Sequence, residues 1–495
     1  MKPASTEIPV RSSRVKTKGV GTAVGSAPRF HSGRALLAAL LLSGLAAPAT
    51  AQTIAITGGR VVVGDGSEPI ENGTVVIRNG RVVAAGAGVA VPGDAQRIDA
   101  AGKYVTPGVI AGFSRVGLVE VDAVSATEDT QANGGPFSAS IDVAPAINPK
   151  AAAIAVNRAA GVTRAVVAPS TARSIFGGQG AVIDLGDDMS PITRARAFQF
   201  VEFGETGAEE AGGSRASAHA LFRNALREAG QISRQPIGGG GAAARTPNAT
   251  EQQDLPLEEV PESELINTTR ERPGDVLLTR FDAAALVPVV TGRQIMMAHV
   301  ERASDILQML NLRREFPRLR LVLVGASEGW TVAREIAAAG VPVIASAVND
   351  LPASFEQLAA TQSNVGRMRA AGVRVGIGTI NDDEARQVRI STQYAGNLVA
   401  LNNVPGASGL TFGEAMAAIT SRPAEALGLG GELGSLQAGR RADVVIWSGD
   451  PLQVTSNAER VWIDGVEQPL TNRQTKLRDR YRSLDEAQRP RQYER

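Results

Sequence analysis

The chain has no cysteine and only three histidines in 495 residues. Without cysteine there can be no disulfide staple, thiolate zinc site, iron–sulfur cluster or cysteine nucleophile. So few imidazoles leave little room for a histidine-rich metal centre. Aromatic residues are scarce at 4%. The apolar run Ala35–Ala47 is too short to span a bilayer as a permanent helix. What remains is ordinary soluble globular material, 43% hydrophobic and 20% charged. The length suggests about two or three domains.

The formal net charge of +1 hides an asymmetry. Lys2, Arg11, Arg14, Lys16, Lys18, Arg29 and Arg34 face a single acid, Glu7, within residues 1–51. The rest of the chain is therefore mildly acidic and has no reason to seek nucleic acid. Basic residues followed by Ala35–Ala47 and then Ala49-Thr50-Ala51 read as a secretory signal with cleavage after Ala51. A retained N-terminal anchor is the alternative. The expectation is an exported, periplasmic or secreted protein with no stable membrane insertion.

Residues 53–104 read as short strands separated by Gly58-Gly59, Asp65-Gly66 and the hairpin signal Asn79-Gly80. Ala442–Trp447 and Arg460–Ile463 have the same texture, so both ends are expected to build one small composite β-sandwich (52–105 with 431–470). Between them, apolar strands at Val109–Arg115, Val162–Ala168, Ala197–Phe203, Ile295–Val300, Leu319–Gly325, Val343–Val348 and Val373–Thr379 alternate with helical patterns. These include Ala151–Ala160, Ala303–Glu315, Thr331–Ala339, Ser354–Ala371 and Glu384–Leu401. Ala181–Leu185 is either an eighth strand or part of a hairpin. The fold class expected is α/β, a closed (β/α)₈ barrel over 106–430. Residues 232–276 interrupt the pattern with Gly238–Gly241 and an acidic stretch, and read as an exposed insert. Thr471–Arg495, with eight basic and four acidic residues, reads as an exposed helix or tail.

Several stretches carry a family resemblance. Ile56-Thr57-Gly58-Gly59-Arg60-Val61, Val105-Thr106-Pro107-Gly108-Val109-Ile110, Gly161-Val162-Thr163, and Ser421–Leu429 followed by Gly434–Val445 are similar to the opening and closing signatures of the amidohydrolase superfamily, on its imidazolonepropionase-like branch. The resemblance covers roughly residues 53–468. It implies a (β/α)₈ barrel with a composite β-sandwich and metal-dependent hydrolysis at the C-terminal ends of the strands.

The ligand positions depart from that pattern. Where the family has Asp-x-His-x-His, this chain has Ala111-Gly112-Phe113-Ser114-Arg115; phenylalanine has no donor atom and a guanidinium repels a cation. Gly325 and Ile380 stand where a histidine and an aspartate are expected. His299, in Met297–Ile306, matches a ligand position and is the leading catalytic candidate; a packed structural histidine is the alternative. Asp382 is the second candidate, against a helix-capping role that is also open to Asp383. Arg115, Glu301, Arg302 and Asn381 are candidate substrate contacts, with an internal pair between Arg115 and Glu120 as the plain alternative for the first. His219 lies in a helical stretch away from the strand ends. Glu328 and Trp330 line a pocket or pack. Gly177-Gly178-Gln179-Gly180 lacks the ending of a phosphate loop and reads as a hairpin turn.

No cofactor is expected. One histidine with one or two carboxylates can hold at most a weak single divalent metal. The resemblance implies an exported hydrolase of carbon–nitrogen bonds outside peptides. The alternative is a catalytically inactive relative that binds a small ligand or partner protein through the barrel mouth. A homo-oligomer is compatible with either.

Overall fold

The computed structural model describes residues 53–121, 124–234, 277–380, 387–483 and 485. The expected signal, most of the 232–276 insert, and Asn381, Asp382 and Asp383 lie outside the described residues.

The N-terminal part supplies β1 (Thr53–Val61), β2 (Ile70–Arg78), β3 (Arg81–Gly86), β4 (Gln96–Asp99) and β5 (Tyr104–Pro107). The Asn79-Gly80 turn has both φ positive, as its sequence predicts for a two-residue hairpin. Gly58-Gly59 does not end a strand: β1 runs through it, with a register shift against β2. The chain then enters the barrel strands β6 (Val109–Ser114), β7 (Val162–Val167), β8 (Phe176–Asp184), β9 (Ile192–Glu202), β10 (Ile295–Val300), β11 (Arg320–Gly325), β12 (Val343–Ala345) and β13 (Val375–Ile377). It returns as β14 (Val444–Trp447), β15 (Ala458–Ile463) and β16 (Val466–Glu467).

The two ends do make one sheet, in the order β16-β15-β14-β5-β1-β2-β3 with β4 beside β1. Backbone bonds from Val82 to Arg440 and from Ala442 to Gly80 bring its free edge back to the segment before β14. Ile54, Ile56, Val75, Ile77, Val105, Val444, Ile446 and Trp462 are buried together inside it.

The second sheet runs β6 to β13 in chain order. The Thr379 N–H donates to the Phe113 carbonyl at 3.2 Å and nearly closes it into a barrel. Seven strands run in one direction and β8 runs against both its neighbours. The eighth strand is thus also half of a hairpin, the one departure from a regular βα repeat. The segment Gly177–Gly180 is not a turn but lies within this strand. A Cβ on Gly180 would fall 2.0 Å from the Phe198 ring, so glycine leaves the space that the ring fills.

Alternate residues point into the barrel. Ile295 and Met297 of β10, Phe198 and Phe200 of β9, Val322 and Val324 of β11, and Phe113 of β6 pack there as one buried cluster. A larger cluster lies between the strands and the outer helices. Those helices are α1 (Ala152–Arg158), α2 (Glu205–Glu210), α3 (Arg215–Arg234), α4 (Arg280–Val290), α5 (Ala303–Glu315), α6 (Ala333–Ala339), α7 (Asn364–Ala370), α8 (Ser391–Ala400), α9 (Phe412–Ala418) and α10 (Ser421–Ala426), with α11 (Arg473–Tyr481) near the C-terminus. The single helix expected over Ser354–Ala371 is broken: only a 3₁₀ turn at Phe355–Gln357 and α7 form. Tertiary bonds take the backbone groups between them, Ala359 N–H donating to Glu328 and Ala359 carbonyl accepting from Trp330 Nε1.

Barrel and sheet are pinned by one buried ion pair. Arg164 of β7 is fully buried and donates to both oxygens of Asp443, at 2.7 and 3.0 Å. Asp464 and Asp184 also face it, at 2.8 and 3.6 Å.

Candidate functional site

The inward parity of β9 and β10 continues to their C-terminal ends. After Phe198 and Phe200 the next inward residue is Glu202; after Ile295 and Met297 it is His299. The two are paired in register, so the last inward position of each strand meets the other at the mouth. His299 Nδ1 lies 2.5 Å from Glu202 Oε1, and its Nε2 lies 2.9 Å from Glu301 Oε1. The other oxygen of Glu301 accepts the Ser327 N–H at 2.8 Å.

This arrangement fixes charge. A carboxylate on each side of the ring asks both nitrogens to donate, which only the imidazolium can do. Burial opposes that charge most strongly, but Glu202 and Glu301 outweigh it and hold the His299 pKa well above its ordinary value. Burial likewise opposes ionisation of Glu301, and His299 with Ser327 overcomes it, so its pKa is lowered.

The position of Gly325 explains how Glu301 fits. A Cβ there would come 2.5 Å from Glu301 Oε1 and 2.9 Å from His299 Cδ2. The carboxylate occupies the space that a side chain at the expected histidine position would need. Phe113 is buried, tilted against Phe200 with ring centroids 5.5 Å apart. Arg115 sits with its guanidinium 5.6 Å from the Phe113 ring, and its Nε donates to Ser170 Oγ at 2.7 Å. It does not pair with Glu120, whose carboxylate is held by Asn148 instead. Burial lowers the Arg115 pKa, and the charge of Glu202 only partly offsets it.

Other candidates are tied into the surrounding structure. Arg302 pairs with Asp305 at 2.9 Å across the first turn of α5. Arg215 grips the other Asp305 oxygen at 2.8 Å and reaches Glu356 at 3.2 Å. Glu328 is buried and accepts the N–H groups of Ala303 and Ala359. Trp330 is packed under Arg367, 4.4 Å from its ring. His219 is on α3, its ring 5.2 Å from Phe203, away from the His299 cluster. Thus His299, Glu301 and Arg115 come together at the mouth, and Arg302 lies one step behind. Sequence reasoning missed Glu202, although the alternation Phe198, Phe200, Glu202 in a strand was its signal. Among the described residues, no group of three or more histidine or acidic side chains is arranged to hold a metal ion.

A sequence model described as the Amidohydrolase family matches residues 222–467. The solved amidohydrolase of Thermotoga maritima MSB8 superposes with a TM-score of 0.67 at 23% identity, covering 84% of this chain and 99% of that one. The chain belongs to the amidohydrolase superfamily. Two curated relatives match over short stretches. Amidohydrolase tasK of Hapsidospora irregularis is 47% identical over 60 residues, 12% of this chain and 6% of that protein. Imidazolonepropionase of Acidiphilium cryptum (strain JF-5) is 39% identical over 106 residues, 21% and 24% respectively. The chain therefore spans less than a quarter of the length of each of these relatives in the matched regions. No described helix is long and apolar enough to cross a membrane.

Proposed function

We propose that this protein is an exported amidohydrolase that hydrolyses carbon–nitrogen bonds outside peptides, with a mouth that has given up the metal site of its superfamily. The pairing of Glu202 with His299 at the last inward positions of neighbouring strands, opposite Arg115, carries the reading. A metal would need the His299 nitrogens, and both are engaged by carboxylates. Arg115 adds a cation where a ligand is expected, and Phe113 adds only hydrocarbon. The described donors do not fit the ion, so no step runs through one.

The remaining chemistry is acid–base. Glu202 Oε2 makes no hydrogen bond among the described residues and is the oxygen available to take a proton from water as it adds to a carbonyl. The two Nη groups of Arg115 are uncommitted among the described residues and can receive the developing oxyanion or a substrate carboxylate. His299 holds Glu202 in place and balances its charge. A bound zinc lowers the pKa of water to about 7, worth roughly 12 kcal/mol of ionisation. A positioned base supplies about 10²–10⁴-fold, roughly 3–5 kcal/mol. This gap limits the substrate to a strained or activated bond, such as a cyclic amide of the imidazolone type named by the relative above, or a cyclic ester. Export is supported by the basic stretch, the apolar run and the Ala-Thr-Ala ending at residue 51.

The second reading, an inactive relative that binds a ligand or partner at the mouth, is favoured by one observation: each His299 nitrogen is already satisfied within the protein. Elemental analysis of the purified protein and a screen of cyclic amides and lactones decide between them. Turnover lost in both Glu202→Gln and Arg115→Gln, without stoichiometric metal, supports the hydrolase. Binding without turnover establishes the second reading. Stoichiometric metal that is lost on His299→Ala overturns the acid–base site.

A further inference from the structure

We propose that a second binding site, for a small polyhydroxylated carboxylate, lies outside the barrel in the cleft between the turn preceding α8 and the loop joining β14 to β15. The cleft has a volume of about 460 Å³, within the range that holds small organic ligands. A side cavity of about 160 Å³ shares Gln387 and Arg389 with it.

Its lining combines two chemistries. Ile390, Leu452 and Val454 give an aliphatic surface suited to the C–H faces of a carbon chain. Amide and hydroxyl side chains, among them Gln453 and Asn457, share the lining with them. Such groups donate and accept alike, as ligand hydroxyls do. Among the described residues, no acidic side chain lines the main cleft.

Arg389 supplies the charge. Its Nη2 donates to Gln387 Oε1 at 2.9 Å and its Nη1 to Gln474 Oε1 at 3.5 Å, both neutral acceptors. It joins no ion pair among the described residues. Among the described residues, the one acid lining the side cavity, Glu120, is held by Asn148. The turn itself is anchored, since the Arg389 N–H donates to Asn157 Oδ1 at 2.9 Å. A fixed, partly buried guanidinium whose partners among the described residues are neutral, at the edge of an amide-lined cleft, is matched by a carboxylate that takes its fork in two hydrogen bonds.

The test is calorimetric titration of the full chain with gluconate, using sorbitol as the uncharged counterpart. Gluconate should bind at a single site and sorbitol should not. Arg389→Gln should weaken gluconate by about tenfold or more, and Arg389→Lys by less, because the charge stays while the fork is lost. Asn457→Leu, at an exposed position of the lining, should also weaken it and covers the case of an Arg389 variant that folds poorly. Equal binding of sorbitol, no binding of gluconate, or undiminished binding by Arg389→Gln and Asn457→Leu would each overturn the proposal.

Discussion

Removing the imidazolium from the mouth tests the charge reasoning most directly. In His299→Ala two buried carboxylates lose their shared cation. Glu301 keeps the Ser327 N–H and Glu202 keeps the neighbouring charge of Arg115. Each loses one charge-assisted hydrogen bond, worth about 1.5–3 kcal/mol, and breaking a buried pair from one side costs about 3–5 kcal/mol. A loss of about 3–5 kcal/mol at neutral pH is therefore expected. The pH dependence sharpens the test. In the native protein the raised His299 pKa gives stability fully present below about 6.5 and lost as pH rises through the folded value. The lowered Glu301 pKa gives stability present above about 4.5 and lost as pH falls through its folded value. Both are complete between about 4.5 and 6.5. The variant has no such plateau: its carboxylates are harder to ionise in the fold, so it becomes more stable as acid protonates them. Urea unfolding followed by tryptophan fluorescence from pH 4 to 8 should show the deficit shrinking toward about 1 kcal/mol at the acid end. Adding Glu301→Gln to the variant should recover part of the loss at neutral pH. A deficit that does not change with pH refutes the cluster.

Arg164→Met strands Asp443 and Asp184 beneath the sheet and should cost about 3–5 kcal/mol in denaturant unfolding, with part recovered by Asp443→Leu in the same chain. Burial raises the Glu210 carboxyl to about 7, against a hydrogen bond from Thr171 and with added repulsion from Glu202 and Glu209. The fold then binds more protons than the unfolded chain between about 4.5 and 7, so this group makes stability fall as pH rises through that window. Glu210→Gln should flatten the slope, read as Tm against pH.

What was legible in the sequence follows from how far apart the interacting residues lie. The Asn79-Gly80 hairpin, the apolar strands and the position of His299 are local patterns, and the structure places each as expected. The alternation that carries Glu202 inward was equally local, but the strand reads as an apolar block and its last charged residue looks like an edge. The partners of Arg164 could not be read at all, because Asp443 is 279 residues away and nothing near either residue announces the other. Helix breaks between Ser354 and Ala371 were hidden for the same reason: the bonds that replace the helix come from Glu328 and Trp330. Gly325 looked like a vacancy, and only the packed structure reveals Glu301 in that space.

That last point makes the departures at the mouth a coordinated set. Two carboxylates, Glu202 and Glu301, are balanced by His299 and Arg115, and a buried cluster of zero net charge is what a poorly polarisable interior tolerates. Phe113 closes the hydrocarbon layer below, against Phe200. Introducing one superfamily ligand should therefore not by itself create a metal centre. Gly325→His puts a Cβ 2.5 Å from Glu301 Oε1, at a backbone φ of +87° that costs about 1–3 kcal/mol for a side-chain-bearing residue. The displaced carboxylate must also leave His299 or Ser327, at about 1.5–3 kcal/mol for either bond. A destabilisation of about 3–6 kcal/mol without any gain in zinc affinity is expected, measured by urea unfolding and zinc titration. Pairing it with Glu301→Ala clears the space and should lessen the loss. If Gly325→His alone unfolds like the native protein and binds zinc tightly, then the mouth still accommodates the ion and the mutual dependence of these residues is wrong.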